Sequence, residues 1–359
     1  MQLQIVNILQ VLLIFQGVFF CFFLLSSPRA KYRSNRFLAS FLGLLSFHMT
    51  LNLVFETSSL DFPDITPTLG LLYGPLLYLF VISLIRTDGL STRLLAVHVS
   101  PWIVFLLLHF ISLVEFQMVT GAAILFSMAG YIFGSFRAIV KYQSVLSDVH
   151  SETSSINLSW VIHLLYLLSS ILILEAIRNF LFVPDSIGEK IAYSVMTLAL
   201  LVFVVTLVYR GLKQPSLFGG ISVEDISISK EKEERYASST ITDKEIMEHA
   251  SNLEKLMKEK KPYINPSLKL SELAETMGVN PRHLSQTINT HFKMNFSEYV
   301  NQHRIADAKI QLAESVDSGK TILEILYETG FNTKSNFNHT FKELTGKTPS
   351  EFKKGAELG

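Results

Sequence analysis

Seven apolar stretches, each about 20 residues long, fill most of the first 210 positions of this chain. A helix needs about 20 apolar residues to cross the hydrocarbon core of a bilayer, where no water is present to satisfy backbone groups. The first stretch has neither a basic leader nor a small-residue cleavage site, so we expect it to be retained as a span. The seven predicted spans are residues 3–25, 37–57, 69–85, 94–114, 119–140, 160–183 and 191–210.

Charge divides the chain into two parts of different composition. Residues 1–225 carry 12 Lys/Arg and 12 Asp/Glu, whereas residues 226–359 carry 19 of each in a shorter segment. This balance excludes a strongly basic protein, and the single cysteine, Cys21, excludes an internal disulfide and a Cys-rich zinc site. We predict a membrane domain at 1–210, a cytoplasmic linker at 211–242 and a soluble domain at 243–359. The linker is rich in Gly, Pro, Ser and mixed charge, a composition that does not bury a core.

The short loops between the predicted spans indicate their orientation. Loops on one side contain ten Lys and Arg residues, whereas loops on the other side contain one, Lys190. Lys and Arg accumulate in the loops on the cytoplasmic side of a membrane. The predicted topology therefore has the N-terminus outside and, after seven crossings, the soluble domain in the cytoplasm.

Two ionisable residues lie three positions apart in the sixth predicted span, Glu175 and Arg178. Charges inside a membrane are costly and usually face the interior of the bundle, which favours an intramembrane signalling pair. A structural ion pair, or an arginine that extends to the membrane surface, is the alternative interpretation. The sequence contains no nucleophile elbow, phosphate-binding loop or zinc-binding helix motif. We therefore predict no catalytic residue, no metal site and no cofactor, and a protein that is not an enzyme.

The soluble domain contains an internal repeat. A displacement of 53 residues aligns Leu284 with Phe337 and Thr287 with Thr340. Each copy consists of a short helix, a turn with a glycine (Gly278 or Gly330) and a second helix, which is the helix-turn-helix pattern. A longer helix at about 297–315 joins the copies, and a helix opened by a Thr242–Glu245 capping box precedes them. The apolar stripe of that preceding helix predicts either core or a dimer seam: it comprises Ile246, Ala250, Leu253 and Met257.

The second helix of each copy is predicted to have one apolar and one polar face. The apolar residues are Leu284, Ile288 and Phe292 in the first copy and Phe337, Phe341 and Leu344 in the second. Every amphipathic helix has a polar outer face, but these faces carry amide, hydroxyl and basic side chains and only one acid, Glu343. The acids lie instead on the first helices, at Glu272, Glu275, Glu324 and Glu328. Such segregation favours a surface for base edges and phosphates of DNA.

Residues 262–354, about a quarter of the chain, resemble the AraC/XylS-type bacterial transcription regulators. The resemblance is carried by LKLSELAETMGVNPRHLSQTINTHF, FSEYVNQHRIADAKIQL and ILEILYETGFNTKSNFNHTFKELTGKTPSEFKK. It implies a seven-helix DNA-binding domain in which a long helix joins two helix-turn-helix units. The predicted fold class is therefore all-α: a seven-helix transmembrane bundle followed by a soluble double helix-turn-helix domain.

The resemblance also implies which side chains contact DNA. Transferred by position, they are Arg282, Ser285 and Gln286 in the first unit and Lys334, Ser335, Asn336 and His339 in the second. The polar helix faces add Asn289 and Lys342. Family members often have Arg or Lys at positions 286, 289 and 339, so we expect modest DNA affinity from one domain and a homodimer that compensates for it.

A membrane domain ahead of such a module implies a membrane-tethered one-component transcription regulator in the bacterial cytoplasmic (inner) membrane. We expect the membrane domain to sense a small-molecule or membrane-derived ligand and the soluble domain to bind double-stranded promoter DNA. Other expected partners are the lipid bilayer and, for an activator, RNA polymerase. Two alternatives stay open: a seven-span transporter or enzyme with an accessory regulatory DNA-binding tail, and a purely protein-binding role for the soluble domain.

Overall fold

The computed structural model of the chain describes residues 5–26, 32–57, 64–85, 90–111, 116–153, 157–181, 186–213 and 241–357. These residues form helices joined by short connections, and within them the structure has no β-strand. A single antiparallel bridge joins His150 to Lys269. The predicted all-α class is confirmed. Most of the predicted linker, residues 214–240, lies outside the described part of the chain.

The chain forms two compact units that are interleaved in sequence. The first unit comprises Met1–Lys141 and Leu158–Ser222. The second comprises Tyr142–Asn157 and Val223–Gly359. A segment from inside the predicted membrane domain thus belongs to the same compact unit as the helix-turn-helix region.

The first unit is a set of long apolar helices. Among the described residues, seven helical segments are long and apolar enough to cross a membrane, and they lie close to the seven predicted ranges. The third has two parts, α3 and α4, joined by a 3₁₀ turn at Gly70–Leu72. Pro75 has no N–H to donate to the carbonyl of Leu71, which favours this irregular turn. The helices are α1 (Ile5–Ser26), α2 (Arg33–Thr57), α3 (Thr66–Leu69), α4 (Tyr73–Ile85), α5 (Thr92–Ile111), α6 (Phe116–Val149), α7 (Ser159–Leu181) and α8 (Ile187–Lys213).

Packing in the first unit places helices close together and leaves apolar surface outside. Helix α1 contacts α2 and α8, α2 contacts α4, and α7 contacts α8. A Cβ atom on Gly17 of α1 would lie 2.1 Å from the hydroxyl of Ser46 on α2, so the close approach of these helices requires a glycine. Phe126 and Ile187 are each 80% exposed, and α5 buries none of its residues. An apolar outer surface of this extent is typical of helices that face lipid or another apolar partner.

The described residues of the second unit from 241 onward form seven α-helices, and the first of them precedes the range 262–354 that carries the resemblance. Helix α9 buries all four residues of its apolar stripe and contacts α11, so the stripe is core within one chain. The long joining helix, α12, begins after the predicted cap at Asn295 and ends before Gly319. The helices are α9 (Asp243–Lys260), α10 (Leu270–Met277), α11 (Pro281–Thr287), α12 (Phe296–Ser318), α13 (Ile322–Glu328), α14 (Lys334–Thr345) and α15 (Pro349–Glu357), with a π turn at Ile288–Phe292.

Side-chain caps start several of these helices where the sequence predicts them. Thr242 and Glu245 form a capping box at α9, and Thr321 and Glu324 form another at α13. The backbone N–H of the threonine donates to the glutamate in each case, which lowers the pKa of that carboxyl below 4.5. The caps satisfy N–H groups that a helix start leaves without partners. The starts of α9 and α13 are therefore fixed by local sequence.

The core of the second repeat differs from the prediction at one position. Phe337 and Phe341 of α14 are fully buried with Phe331, but Leu344, predicted to continue this apolar face, is 51% exposed. The ring of Phe352 on α15 packs against Phe341 with centroids 5.5 Å apart. The core is closed by this ring before the last turn of α14, so Leu344 extends beyond it.

Candidate nucleic-acid interface

The turn between α10 and α11 fixes how the first candidate recognition helix begins. Gly278 adopts a left-handed conformation (φ 68°) and its N–H donates to carbonyls of the last turn of α10. The side chain of Asn280 accepts a hydrogen bond from the N–H of Arg282 at 2.9 Å, and Pro281 follows at the first helical position. Asparagine before proline is the usual arrangement at a helix start. The hydrogen bonds that shape this turn are all made by residues close to it in sequence.

The corresponding turn before α14 depends on a close approach of backbone. Gly330 has φ 86°, and a Cβ atom there would lie 2.4 Å from the carbonyl oxygen of Tyr263 and 2.9 Å from that of Ile264. Only glycine fits both the conformation and the space. The hydroxyl of Thr333 then caps α14 by accepting from the N–H of Asn336 at 3.3 Å. The second recognition helix is thus positioned against the segment that follows α9.

The second recognition helix presents basic and polar side chains to solvent. Lys334, Ser335, His339 and Lys342 are exposed, whereas Phe337 and Phe341 on the opposite side are buried. The Nδ1 atom of His339 lies 3.6 Å from a carboxylate oxygen of Glu343. Exposed lysines can contact phosphates, and hydroxyl and imidazole groups can reach base edges. Four of the predicted contact residues in α14 are therefore accessible, and their contact with DNA stays a prediction.

The first recognition helix is less accessible and less regular than the sequence pattern predicts. Arg282, Ser285, Gln286 and Asn289 are all half-buried. The amide of Asn289 donates to the carbonyl of Ser285 at 2.7 Å and to its hydroxyl at 3.3 Å. The helix widens to a π turn at Ile288, so a constant 100° per residue does not hold there. Asn289 therefore folds back onto its own helix.

A buried arginine that was not among the predicted site residues organises the second unit. Arg304 of α12 is fully buried, and its guanidinium donates to the carbonyls of Tyr263 (2.8 Å) and Asn265 (2.9 Å). It also stacks over the ring of Phe331 at 5.6 Å from the centroid. Burial lowers the pKa of Arg304 to about 10, and the nearby carboxylate of Glu152 acts in the opposite direction. Arg304 is spaced four residues from Val300 and Ala308 and eight from Leu312, all of them buried on one face of α12. This spacing is the sequence pattern that could have indicated its burial.

A second feature outside the predicted site is the segment that directly follows α6, residues 150–153, which we call the α6 tail. The hydroxyl of Ser151 accepts from Nη2 of Arg304 at 3.1 Å, and the N–H of Ser151 donates to the carbonyl of Leu268 at 3.1 Å. A carboxylate oxygen of Glu152 accepts from the side-chain amide of Asn336 at 2.8 Å. Asn336, a predicted DNA contact, is therefore engaged by a residue 184 positions earlier in the chain.

In the first unit, the predicted pair of Glu175 and Arg178 forms part of a larger charged cluster. Arg178 donates to Glu175 at 2.7 and 3.0 Å and to Glu189 of α8 at 2.6 Å. Its guanidinium also lies over the ring of Tyr193, 5.6 Å from the centroid. The sequence analysis did not predict that Glu189 pairs with Arg178, because Glu189 was assigned to a loop. Among the described residues, no group of three or more His, Cys, Asp or Glu side chains could hold a metal ion.

Comparison with known proteins locates the family resemblance in the second unit. Residues 273–355 match the family described as a helix-turn-helix domain. This C-terminal part of the chain is similar to AraC-type helix-turn-helix domains. The matched range begins in α10 and ends in α15, so it contains both helix-turn-helix units and the helix that joins them.

Similar proteins share this domain and little else of their length. An uncharacterized HTH-type transcriptional regulator of Staphylococcus aureus (strain MSSA476) is 32% identical over 91 residues, which is 25% of this chain and 12% of that protein. The HTH-type transcriptional regulator YtdP of Bacillus subtilis (strain 168), also uncharacterized, is 36% identical over 86 residues, which is 24% of this chain and 11% of that protein. The chain thus matches only about an eighth of the length of these relatives. No solved structure matches the chain significantly.

Proposed function

We propose that this protein is a membrane-tethered transcription regulator that binds promoter DNA through the helix-turn-helix domain. The observation that carries the proposal is the family match over both helix-turn-helix units. In the structure, α14 follows a capped turn and exposes Lys334, Ser335, His339 and Lys342. The relatives reported above are described as HTH-type transcriptional regulators. The role is regulatory and not enzymatic.

The DNA-facing surface consists of the outer sides of α11 and α14. Lysines on α14 contact phosphates, whereas Ser335, Asn336 and His339 contact base edges or sugar. Arg282, Ser285 and Gln286 contribute from α11, and Asn289 contributes from the π turn that follows it. Because α11 is less accessible, its contacts require a rearrangement of the half-buried side chains. One domain binds modestly, and pairing of two chains raises the affinity.

The seven long apolar helices tether the regulator to the bacterial cytoplasmic membrane, with the N-terminus outside and the C-terminus in the cytoplasm. Support comes from the length and composition of these helices and from the exposed apolar residues of α5 and α8. The distribution of Lys and Arg over the loops supports the orientation. Alkaline phosphatase needs disulfides that form only outside the cytoplasm, so its fusion after residue 26, in a loop expected to be cytoplasmic, should be inactive. A fluorescent protein fused at the C-terminus should be fluorescent.

The charged cluster of Arg178, Glu175 and Glu189 takes part in sensing. It joins α7 to α8, and α8 leads directly into the predicted linker. A small-molecule or membrane-derived ligand that changes the packing of these helices would bias the soluble domain between two states. In a promoter reporter strain, Glu175→Gln should change the response to growth conditions while the protein remains in the membrane fraction at wild-type amount.

DNA binding is tested with the full chain in lipid nanodiscs. Fragments selected from a random DNA pool should show a sequence preference and binding that weakens as salt rises from 50 to 200 mM. The double charge reversal Lys334→Glu and Lys342→Glu should abolish binding. Lys258→Glu, an exposed lysine of α9, is the matched control and should bind like the wild type. Absence of sequence-preferring, salt-sensitive binding by the wild type would refute the proposed function.

A further inference from the structure

The α6 tail lies across elements of both helix-turn-helix units. An antiparallel bridge joins His150 to Lys269, which directly precedes α10 of the first helix-turn-helix unit. The hydroxyl of Ser297, near the start of α12, donates to the carbonyl of Ser151 at 3.3 Å. Glu152 accepts a hydrogen bond from Asn336 on α14 of the second helix-turn-helix unit. Three consecutive residues, His150 to Glu152, thus contact both repeats and the helix that joins them.

These contacts are buried and specific. Ser151 is 1% exposed and Glu152 is 8% exposed. Both the N–H and the carbonyl of Ser151 have backbone or side-chain partners, and its hydroxyl accepts from Arg304. A buried polar segment with its groups satisfied is typical of a formed interface, because leaving such groups without partners is costly. The tail is therefore an integral part of the surface of the second unit.

The contact made by Glu152 uses a group that DNA would need. The Nδ2 atom of Asn336 donates to the Glu152 carboxylate at 2.8 Å, and its Oδ1 atom accepts from the hydroxyl of Thr340 at 3.3 Å. The same amide is the group that would hydrogen-bond an adenine edge or a phosphate. A carboxylate has the charge and the acceptor oxygens of a phosphate, so Glu152 takes the place of a nucleic-acid acceptor. Its negative charge also repels a DNA backbone that approaches α14.

We infer that the α6 tail is an intramolecular partner of the helix-turn-helix domain that competes with DNA, with Glu152 bound to Asn336 in the DNA-free state. This inference rests on the proposed DNA-binding function. Because the tail is part of the same chain, its effective concentration at the domain is high and a weak contact is sufficient to compete. Binding to DNA then requires release of the tail, and the apparent Kd equals the intrinsic Kd divided by the fraction of chains in which the tail is released.

The position of the tail also gives a route for regulation. It follows α6 without an intervening loop, and the last two turns of α6, from Tyr142, already belong to the second unit. A displacement of α6 therefore acts on the tail and on Asn336 directly. The covalent linker at 214–240 is not needed for this step. The ligand-dependent signal would thus be transmitted by docking and release of a segment other than the one that tethers the domain.

Removing the carboxylate tests the competition. The full chain in nanodiscs is titrated with a DNA site selected by the wild type, and Kd is measured for Glu152→Ala, Glu152→Gln and the matched control Glu314→Ala. Glu314 is an exposed acid of α12. We expect Glu152→Ala to bind about tenfold more tightly, since it loses a charge-assisted hydrogen bond. Glu152→Gln keeps an acceptor without the charge and should bind with intermediate affinity, and Glu314→Ala should bind like the wild type.

A reversible cross-link tests the same step from the opposite direction. In a Cys21→Ser background, Ser151→Cys and Ser297→Cys together are oxidised with copper phenanthroline, and the single variants serve as controls. The oxidised double variant should bind the site at least tenfold more weakly than after reduction with dithiothreitol. Equal affinity of the oxidised and the reduced double variant would show that the docked tail does not compete with DNA.

The two proposals fail in different ways. If neither the wild type nor any variant, including the reduced double-cysteine variant, binds DNA, the proposed function is wrong. If all variants bind the site with the same Kd, the function stands and the competition is refuted. Tighter binding by Glu314→Ala equal to that of Glu152→Ala would also refute it, because the effect would then come from total charge and not from the contact with Asn336.

Discussion

The guanidinium of Arg304 donates a hydrogen bond to the carbonyl oxygen of Tyr263, 41 positions earlier in the chain, at 2.8 Å. This bond ties the helix between the repeats to the 3₁₀ turn at Pro262–Ile264 that follows α9. The same turn approaches Gly330 so closely that no side chain fits there. The two helix-turn-helix units are therefore held together by backbone carbonyls that one arginine and one glycine contact.

Replacement of Arg304 should destabilise the whole second unit. Arg304→Met removes a donor from the carbonyls of Tyr263 and Asn265. The Asn265 carbonyl keeps the N–H of Leu268 as a donor, whereas the carbonyl of the buried Tyr263 loses the donor it has from Arg304. A buried unsatisfied carbonyl costs about 1–3 kcal/mol, so we expect a loss of that size. Hydrogen exchange of α12 and α13 in the full chain measures it. Lys309→Met, an exposed position of the same helix, should exchange like the wild type; equal exchange in both variants would contradict the prediction.

Two glycines with similar backbone conformation should respond differently to alanine. Gly330 (φ 86°) lies against two carbonyl oxygens, whereas Gly346 (φ 76°) has nothing within 4 Å of the position of a Cβ atom. Gly346→Ala has only the left-handed penalty of about 1–2 kcal/mol. Gly330→Ala adds overpacking, which costs about 1–3 kcal/mol more. Proteolysis of the full chain at increasing temperature monitors unfolding of the second unit and should show that Gly330→Ala is the less stable variant. The reverse order would contradict the close approach of the two carbonyl oxygens to Gly330.

Lys334 should contact a phosphate of DNA and not a base. Lys334→Ala should weaken binding by a similar factor on every sequence and reduce the slope of log K against log salt by about 1. Gel-shift titrations at four salt concentrations, on the selected site and on an unrelated fragment, measure both quantities. Lys258→Ala in α9 should leave the slope unchanged. A loss confined to the selected site would indicate a base contact instead.

The second unit should become less stable in mild acid through His303. Burial between the rings of Tyr263 and Tyr299 lowers the pKa of His303 from 6.5, and Glu254 opposes the shift. The unfolded chain thus binds this proton at a higher pH than the folded one, so the contribution is complete above pH 6.5 and declines as pH falls through the lower folded pKa. Hydrogen exchange corrected for intrinsic rates should show this decline. His303→Gln should remove it, whereas His339→Gln, at an exposed position, should retain it.

Much of the fold follows from patterns confined to a few neighbouring residues. The capping pair of Thr321 and Glu324, the Asn280-Pro281 start and the left-handed Gly278 and Gly319 all lie where the sequence predicts them. Caps and turns depend on hydrogen bonds over three or four residues, so a local sequence pattern is enough to predict where they lie. The constant helical period predicts the faces of Leu344 and Asn289 less well. The ring of Phe352 closes the core before Leu344, and the π turn at Ile288–Phe292 changes the period at Asn289.

The candidate site was only partly predictable for a related physical reason. The exposed lysines of α14 follow from the helical period, since polar groups on the side opposite Phe337 and Phe341 must face solvent. The docking of Glu152 on Asn336 does not follow from any period. Charge patterns likewise indicated Glu175 and Arg178, three residues apart on one helix, but not Glu189 on the next helix.

The sequence by itself determined seven apolar lengths, a duplicated helix-turn-helix pattern and the segregation of charge between them, because each is encoded in spacing along the chain. The tertiary structure decided that Arg304 joins the repeats, that Glu189 completes the cluster around Arg178, and that the tail of α6 contacts a recognition helix. These contacts link residues from 11 to 184 positions apart. A hydrogen bond over such a separation depends on where the folded helices bring the two groups, and no local pattern specifies that.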